Sequence, residues 1–305
     1  MHDGRRIQTE WRLRSRRLPV GVRTLVMGVV KITPDSFSDG GLYLEPERAV
    51  EHALRLLDEG ADLLDLGAES TRPGSRAGDM EAAAVSADEE QARLLPVLEE
   101  VLKARPAAVV SVDTYKAATA RAAVAAGAEI VNDVSGFTWD ARMAAACAEL
   151  GCGVVLMHTR GRPEEWRAQP VLTAETGLAL VRDGLAASLR SAGDAGIALE
   201  SVVLDPGYGF GKRFEENYGL LARQAELLAL GRPLLAGVSR KSFLARTLGR
   251  VQANADRPVS ESSRETASIA ALVTAILHGA SIVRVHQVCA AVEAAAIADA
   301  VLAAR

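Results

Sequence analysis

The chain has 305 residues, 49% hydrophobic and only 4% aromatic, with a net charge of −4. That length and apolar share support a large buried core, and the mild acidity excludes the basic footprint of a nucleic-acid binder. No run approaches the ~18 consecutive apolar residues of a membrane span, and three cysteines without metal or redox spacing (Cys147, Cys152, Cys289) read as small buried hydrophobes of a reducing, cytoplasmic compartment.

In chain order, residues 1–22 come first and carry six arginines: Arg5, Arg6, Arg12, Arg14, Arg16 and Arg17. No apolar stretch of a secretion signal follows them. They read as a basic extension, either a solvated tail or a packed lead-in, ahead of a domain spanning 23–305. Eight apolar runs then recur at 24–32, 61–67, 107–113, 128–133, 153–158, 201–205, 233–239 and 281–286. Each is almost continuously hydrophobic, as expected of parallel strands covered on both faces. Helical patterns separate them, among them 46–60, 86–105, 116–127, 178–193 and 265–279. Several stop at glycine, the residue that best tolerates the left-handed turn closing a helix. Pro96 falls inside the second helical pattern, where it is expected to kink the helix or shift its start. Eight β–α units without a glycine-rich dinucleotide fingerprint after the first strand predict an α/β fold, a single-domain (β/α)8 TIM barrel.

The strand ends carry the chemistry. Lys31 ends the first, Glu69-Ser70-Thr71-Arg72 follow the second, and Asp113 ends the third. Asn132-Asp133 end the fourth, Met157-His158 the fifth and Asp205 the sixth. Ser239-Arg240-Lys241-Ser242 follow the seventh, and Arg284 and His286 end the eighth. In such a barrel all these ends share one rim, the catalytic face. Structural duties compete at each position. Asp113 and Asn132 fit helix N-caps, Asp205 fits a brace for the Pro206-Gly207 turn, Arg284 fits a pair with Asp65 or Glu69, and His158 fits the core. Buried charges are expensive unless paired or used, so convergence of the whole set points to a site. The segment GYGFGK (207–212) lacks phosphate-loop spacing and reads as a glycine-lined loop beside a flat ligand.

Buried carboxylates without metal-ligand spacing suit a heterocycle presenting adjacent N–H donors, because a carboxylate accepts two parallel bonds. Lys31, Arg284 and His286 add positive charge for an anion. Ser242, opening a helical stretch, offers a hydroxyl and backbone N–H groups to a second acid. The residues imply two substrates, one of them phosphorylated.

From about residue 24 to 300 the chain resembles the dihydropteroate synthases of the pterin-binding TIM-barrel family. The matching stretches are ITPDSFSDGG (32–41), ESTRPGS (69–75), SVDTYKA (111–117), IVNDVSG (130–136), LDPGYGFGK (204–212), GVSRKSF (237–243) and IVRVH (282–286). The resemblance implies a folate-pathway transferase, a sulfonamide target, that joins 6-hydroxymethyl-7,8-dihydropterin diphosphate to p-aminobenzoate and releases pyrophosphate. It assigns Asp113, Asn132, Met157, Asp205, Phe210, Lys241 and Arg284 to the pterin. Lys31, Arg284 and His286 go to the diphosphate, and Phe37, Thr71, Arg72, Pro73 and Ser242 to p-aminobenzoate. Asp35, Asp113 and Lys241 are the catalytic candidates.

Two positions depart from the family. Lys31 replaces the asparagine that helps hold magnesium on the diphosphate, so weak Mg2+ dependence is expected and no metal ligand is assigned. Gln287 replaces an aspartate. A folate methyltransferase and a pterin-binding paralogue without catalysis remain as alternatives; the SRKS segment argues against the first, while Lys31 keeps the second open. The apolar, alanine-rich segment 288–304 suggests a homodimer surface.

Overall fold

The structure, a computed structural model, describes residues 6–32, 45–71, 75–78, 85–253 and 259–305. It opens with an antiparallel hairpin, β1 (Thr9–Arg12) and β2 (Arg17–Val20). Eight parallel strands then close a barrel: β3 (Leu25–Lys31), β4 (Leu63–Gly67), β5 (Val110–Asp113), β6 (Ile130–Asp133), β7 (Gly153–Met157), β8 (Val202–Asp205), β9 (Leu234–Ala236) and β10 (Ala280–Val285). Each expected run is a strand, and β10 pairs back onto β3 to complete the circle.

The outer layer holds α1 (Glu45–Asp58), α2 (Ala87–Ala104), α3 (Ala117–Ala125), α4 (Met143–Leu150), α5 (Ala174–Asp194), α6 (Phe214–Arg223), α7 (Ser242–Ala253), α8 (Glu261–Leu277) and α9 (Val288–Ala303). Helix α2 runs through Pro96 without a shifted start. Ser86 fixes that start by accepting from the Glu89 N–H, and Asp88, Glu89 and Glu90 crowd the positive end of the dipole. Buried Leu94, Val97, Leu98 and Val101 hold the helix on the barrel on both sides of the proline. Helix α4 ends at Gly151, whose φ of 61° a side chain would strain.

From residue 6 onward the arginine-rich extension is a packed lead-in, not a solvated tail. Its hairpin places Trp11, Leu13 and Val20 against Met27, Leu63, Ile130, Val155, Val203, Leu235 and Ile282, which fill the bottom of the barrel. Trp11 is fully buried, and its Nε1 donates to the Ser201 carbonyl at 2.8 Å. Ser15 and Arg16 bind Glu129 next to β6. The signal lay in the alternating apolar residues Trp11, Leu13, Leu18 and Val20, which the arginines between them obscure.

Side-chain alternation fixes the rest of the interior. Leu64, Leu66, Val110, Val112, Val131, Val154, Leu156, Leu204, Val283 and Val285 pack outward with the helices. The intervening positions face the lumen. Moving up from the apolar floor, they become Asp65, Ser111, Asn132, Met157, Asp205, Gly237 and Arg284, and then Lys31, Gly67, Asp113 and His286. The lumen therefore turns from apolar at its floor to largely polar toward the C-terminal ends of the strands. The described residues contain no helix long and apolar enough to cross a membrane.

Candidate active site

The upper lumen is organised around Arg284 on β10. Its Nε donates to Asp65 Oδ2 at 2.6 Å, and its Nη2 donates to Asp113 Oδ2 at 2.7 Å. Asn132 Nδ2 donates to the same Asp65 oxygen at 3.0 Å. Four strands are thereby tied across the barrel. These bonds settle two of the competing duties. Asp113 and Asn132 do not cap helices; the α3 N-terminus is met instead by Asp140, which accepts from the Ala117 N–H. Arg284 pairs with Asp65 and not with Glu69, which turns away to Lys116 and Tyr115.

Burial pushes the Asp113 carboxyl up to about 7; Arg284 opposes that rise and Asp65 adds to it. Asp205 is also raised by burial, and the Gly207 N–H and Lys241 work against the shift. Its Oδ1 accepts from Gly207 N at 2.7 Å, so it does brace the turn after β8. Its other oxygen faces Gly237, where a Cβ would lie 3.7 Å away. A Cβ at Gly67 would come within 3.3 Å of Asp113 Cβ. The two glycines leave open the space beside both carboxylates that a side chain would fill.

Lys241, half-buried between β9 and α7, sets its Nζ 4.2 Å over the Phe210 ring. Burial lowers it to about 8, opposed by Asp205 and reinforced by Arg284 and Lys31. Phe210 packs on the cluster of Met157, Tyr115, Val134 and Trp139, which forms the apolar wall. Lys212, read from the sequence only as part of a glycine-lined loop, holds that loop in place. Its buried Nζ donates to the carbonyls of Gly207 (2.7 Å), His158 (3.1 Å) and Phe210 (3.3 Å). Burial brings it down to about 7. His158 is a core residue packed on Gly184 and lies outside this group.

His286 corrects an expectation. It was to add positive charge, but burial and the field of Lys31, Arg284, Arg240 and Lys241 lower it to about 2. Its imidazole is neutral at physiological pH and is oriented by Ser239 Oγ, 3.0 Å from Nδ1. Lys31, at the end of β3, acts electrostatically on Asp113, Lys241 and His286, so its ammonium belongs to this end of the site. Among the described residues, no three His, Cys, Asp or Glu side chains group as metal ligands. The described groups that feel Lys31 are an acid, Asp113, a cation, Lys241, and the imidazole of His286.

Ser242 is the exposed first residue of α7, at the helix start that the sequence predicts. The turn before it is strained: Arg240 has φ 57°, held by Ser268 Oγ on its N–H and by Glu261 and Glu265 on its guanidinium. Thr71 is half-buried just beyond β4. Asp35, Phe37, Arg72 and Pro73 lie outside the described residues. Sequence reasoning undervalued Asp65 and Lys212. Asp65 stood out only as a lone acid in an apolar strand, at the lumen parity set by Leu63 and Gly67.

A family model described as pterin binding enzyme matches residues 27–286. The dihydropteroate synthase of Mycobacterium leprae is 44% identical over 270 residues, covering 88% of this chain and 90% of that protein. That of Escherichia coli is 40% identical over 280 residues, 92% of each. Among solved structures, Xanthomonas albilineans dihydropteroate synthase with 4-aminobenzoic acid superposes with a TM-score of 0.83 at 41% identity, covering 97% of this chain and 99% of that one. The same organism's enzyme with 7,8-dihydropteroate gives 0.79 at 39% identity, covering 96% and 99%. The Yersinia pestis enzyme with a sulfonamide drug gives 0.84 at 37%, covering 97% and 100%.

Proposed function

The chain belongs to the dihydropteroate synthase family of pterin-binding enzymes and is a transferase of folate biosynthesis; we propose that its upper lumen divides the reaction as follows. Asp113, Asn132, Asp205 and Lys241 read the polar edge of the pterin. Arg284 stacks on one face of the ring, and Met157 and Phe210 wall the other side. Lys31, Arg284 and His286 take the diphosphate, His286 as a neutral donor. Thr71 and Ser242, with Phe37, Arg72 and Pro73, hold p-aminobenzoate, whose carboxylate meets the α7 N-terminus.

The chemistry follows from these positions. As pyrophosphate leaves, positive charge develops on the pterin methylene and spreads into the ring. Asp113 and Asp205 are fixed where they stabilise that charge, already desolvated and needing no reorganisation. Asp35 supports the same cation from the first loop. The aromatic amine is unprotonated at neutral pH, so its attack needs positioning more than a base. Segments 33–45 and 72–86 are proposed to exclude water that would trap the cation.

Magnesium is proposed to matter little. The ammonium of Lys31 supplies one positive charge and three donors at the diphosphate end. Its field, already strong enough to depress Lys241 and His286, opposes a second cation there. Further proposals are a homodimer, supported by exposed Ile297 and Val301 on α9, and a cytoplasmic location.

The observation that carries the reading is Arg284 pinned by Asp65 and Asp113 beside glycine-spaced carboxylates. Incubation with the pterin diphosphate and p-aminobenzoate tests it. Dihydropteroate and pyrophosphate in equal amounts are expected; pterin binding without product would leave a non-catalytic paralogue.

A further inference from the structure

Outside the lumen, three charged side chains are buried together. Lys116 Nζ bonds Glu69 Oε2 and lies 3.3 Å from Glu90 Oε2. The side chains are 10%, 6% and 1% exposed, respectively. Glu69 also accepts from Tyr115 Oη at 3.1 Å, and Glu90 accepts from Thr114 Oγ1 at 3.1 Å and Thr119 Oγ1 at 2.7 Å. Lys116 Nζ sits 4.4 Å over the Tyr115 ring.

The positions of the two acids give the cluster its meaning. Glu69 lies just after β4, where the chain leaves the barrel; Glu90 lies in the first turn of α2, where it returns. One ammonium therefore ties both ends of the excursion that contains Thr71. The described middle of that excursion docks on the same neighbour: Ala77 joins Tyr115 and Trp139, and a Cβ on Gly78 would come within 2.9 Å of Trp139. Lys116 itself follows Asp113 closely, on the segment that carries a lumen carboxylate. Buried ion pairs add little stability over apolar replacements of the same shape, so their use here points to fixing geometry.

We propose that Lys116 is a positioning residue that sets the p-aminobenzoate side of the site against the pterin side. It does so by holding both roots of the β4–α2 excursion to the Asp113 segment. The proposal rests on the reading that this excursion binds p-aminobenzoate. Without the clamp, Thr71 loses its fixed distance from the pterin, while Asp205, Asn132 and Arg284 keep theirs.

The test compares native enzyme with Lys116→Met, Lys116→Arg and the double variant Lys116→Met/Glu90→Gln, which relieves one stranded buried acid should the single variant fold poorly. The KM for p-aminobenzoate, the Kd for the pterin with pyrophosphate, and Tm are measured. Loss of the clamp is expected to raise the p-aminobenzoate KM roughly tenfold, the scale of about one lost interaction. Pterin affinity should stay within about twofold, and Lys116→Arg should recover most of the loss. KM does not depend on the folded fraction. A lowered Tm with native KM in the folded Met variants would make the cluster merely structural and overturn the proposal. An equal loss of pterin affinity would also overturn it. Failure of the native enzyme to consume p-aminobenzoate would instead overturn the parent reading, and this one with it.

Discussion

Arg284 Nε and Asp65 Oδ2 meet at 2.6 Å across 219 positions of sequence, with Asp65 wholly buried. The carboxylate never needs to touch substrate to matter, because it fixes the plane of the guanidinium that is proposed to stack on the pterin. Asp65→Asn keeps the shape and removes the charge. It is expected to weaken pterin binding by about 1.5–3 kcal/mol, the value of a hydrogen bond to a charged group. Isothermal calorimetry with the pterin and pyrophosphate reads this directly, and unchanged affinity would remove Asp65 from the site.

Asp205→Asn is expected to cost about 2–4 kcal/mol of pterin affinity, because an amide turns one acceptor into a donor facing a donor. The brace to Gly207 can survive through the remaining oxygen. Tm should therefore move far less than affinity, and thermal unfolding alongside the titration checks the separation.

Asp113 governs the expected pH dependence. Its pKa in the folded protein, about 7, lies above the ordinary carboxylate value. The folded state thus holds this proton more tightly than the unfolded state. The stability it contributes is full below the ordinary value and is lost as pH rises through about 7. Catalysis is expected to run the other way, because only the carboxylate form of Asp113 would stabilise the proposed cation. We expect kcat/KM for the pterin diphosphate to fall on the acid side of about 7. Asp65→Asn removes a charge that raises Asp113, so the same limb should move to lower pH.

Lys31→Asn should restore dependence on magnesium. Turnover in EDTA is compared with turnover in excess magnesium for both proteins. The native enzyme is expected to keep most of its rate in EDTA and the variant to lose it. Equal losses would show that Lys31 does not substitute for the metal.

Trp11→Ala removes the largest side chain sealing the barrel floor together with its bond to Ser201. It should destabilise the protein by about 3–5 kcal/mol, as for other buried aromatic truncations. The catalytic rim is at the opposite end of the barrel. KM values measured well below the lowered Tm should therefore stay native, and a changed KM would mean that the plug reaches the site.

The sequence by itself determined the eight strands, their alternation with helices and the polar residues at their ends. These are local matters: a strand covered on both faces must be apolar throughout, and the residue that breaks the run is visible where it stands. It also placed Asp113, Asn132, Asp205, Lys241 and Arg284 on one rim, because a closed parallel barrel puts every strand's C-terminal end there. Tertiary structure alone decided the partners. Asp65 and Glu69 stand four positions apart and looked equally able to pair with Arg284. Strand register sends the first into the lumen, and the chain's exit from β4 turns the second toward Lys116. The same holds for His286, whose neutrality comes from burial and four surrounding cations contributed by β3, β10 and the β9–α7 turn. Charge state and pairing depend on what lies within a few ångströms in space, and closing the barrel sets those neighbours.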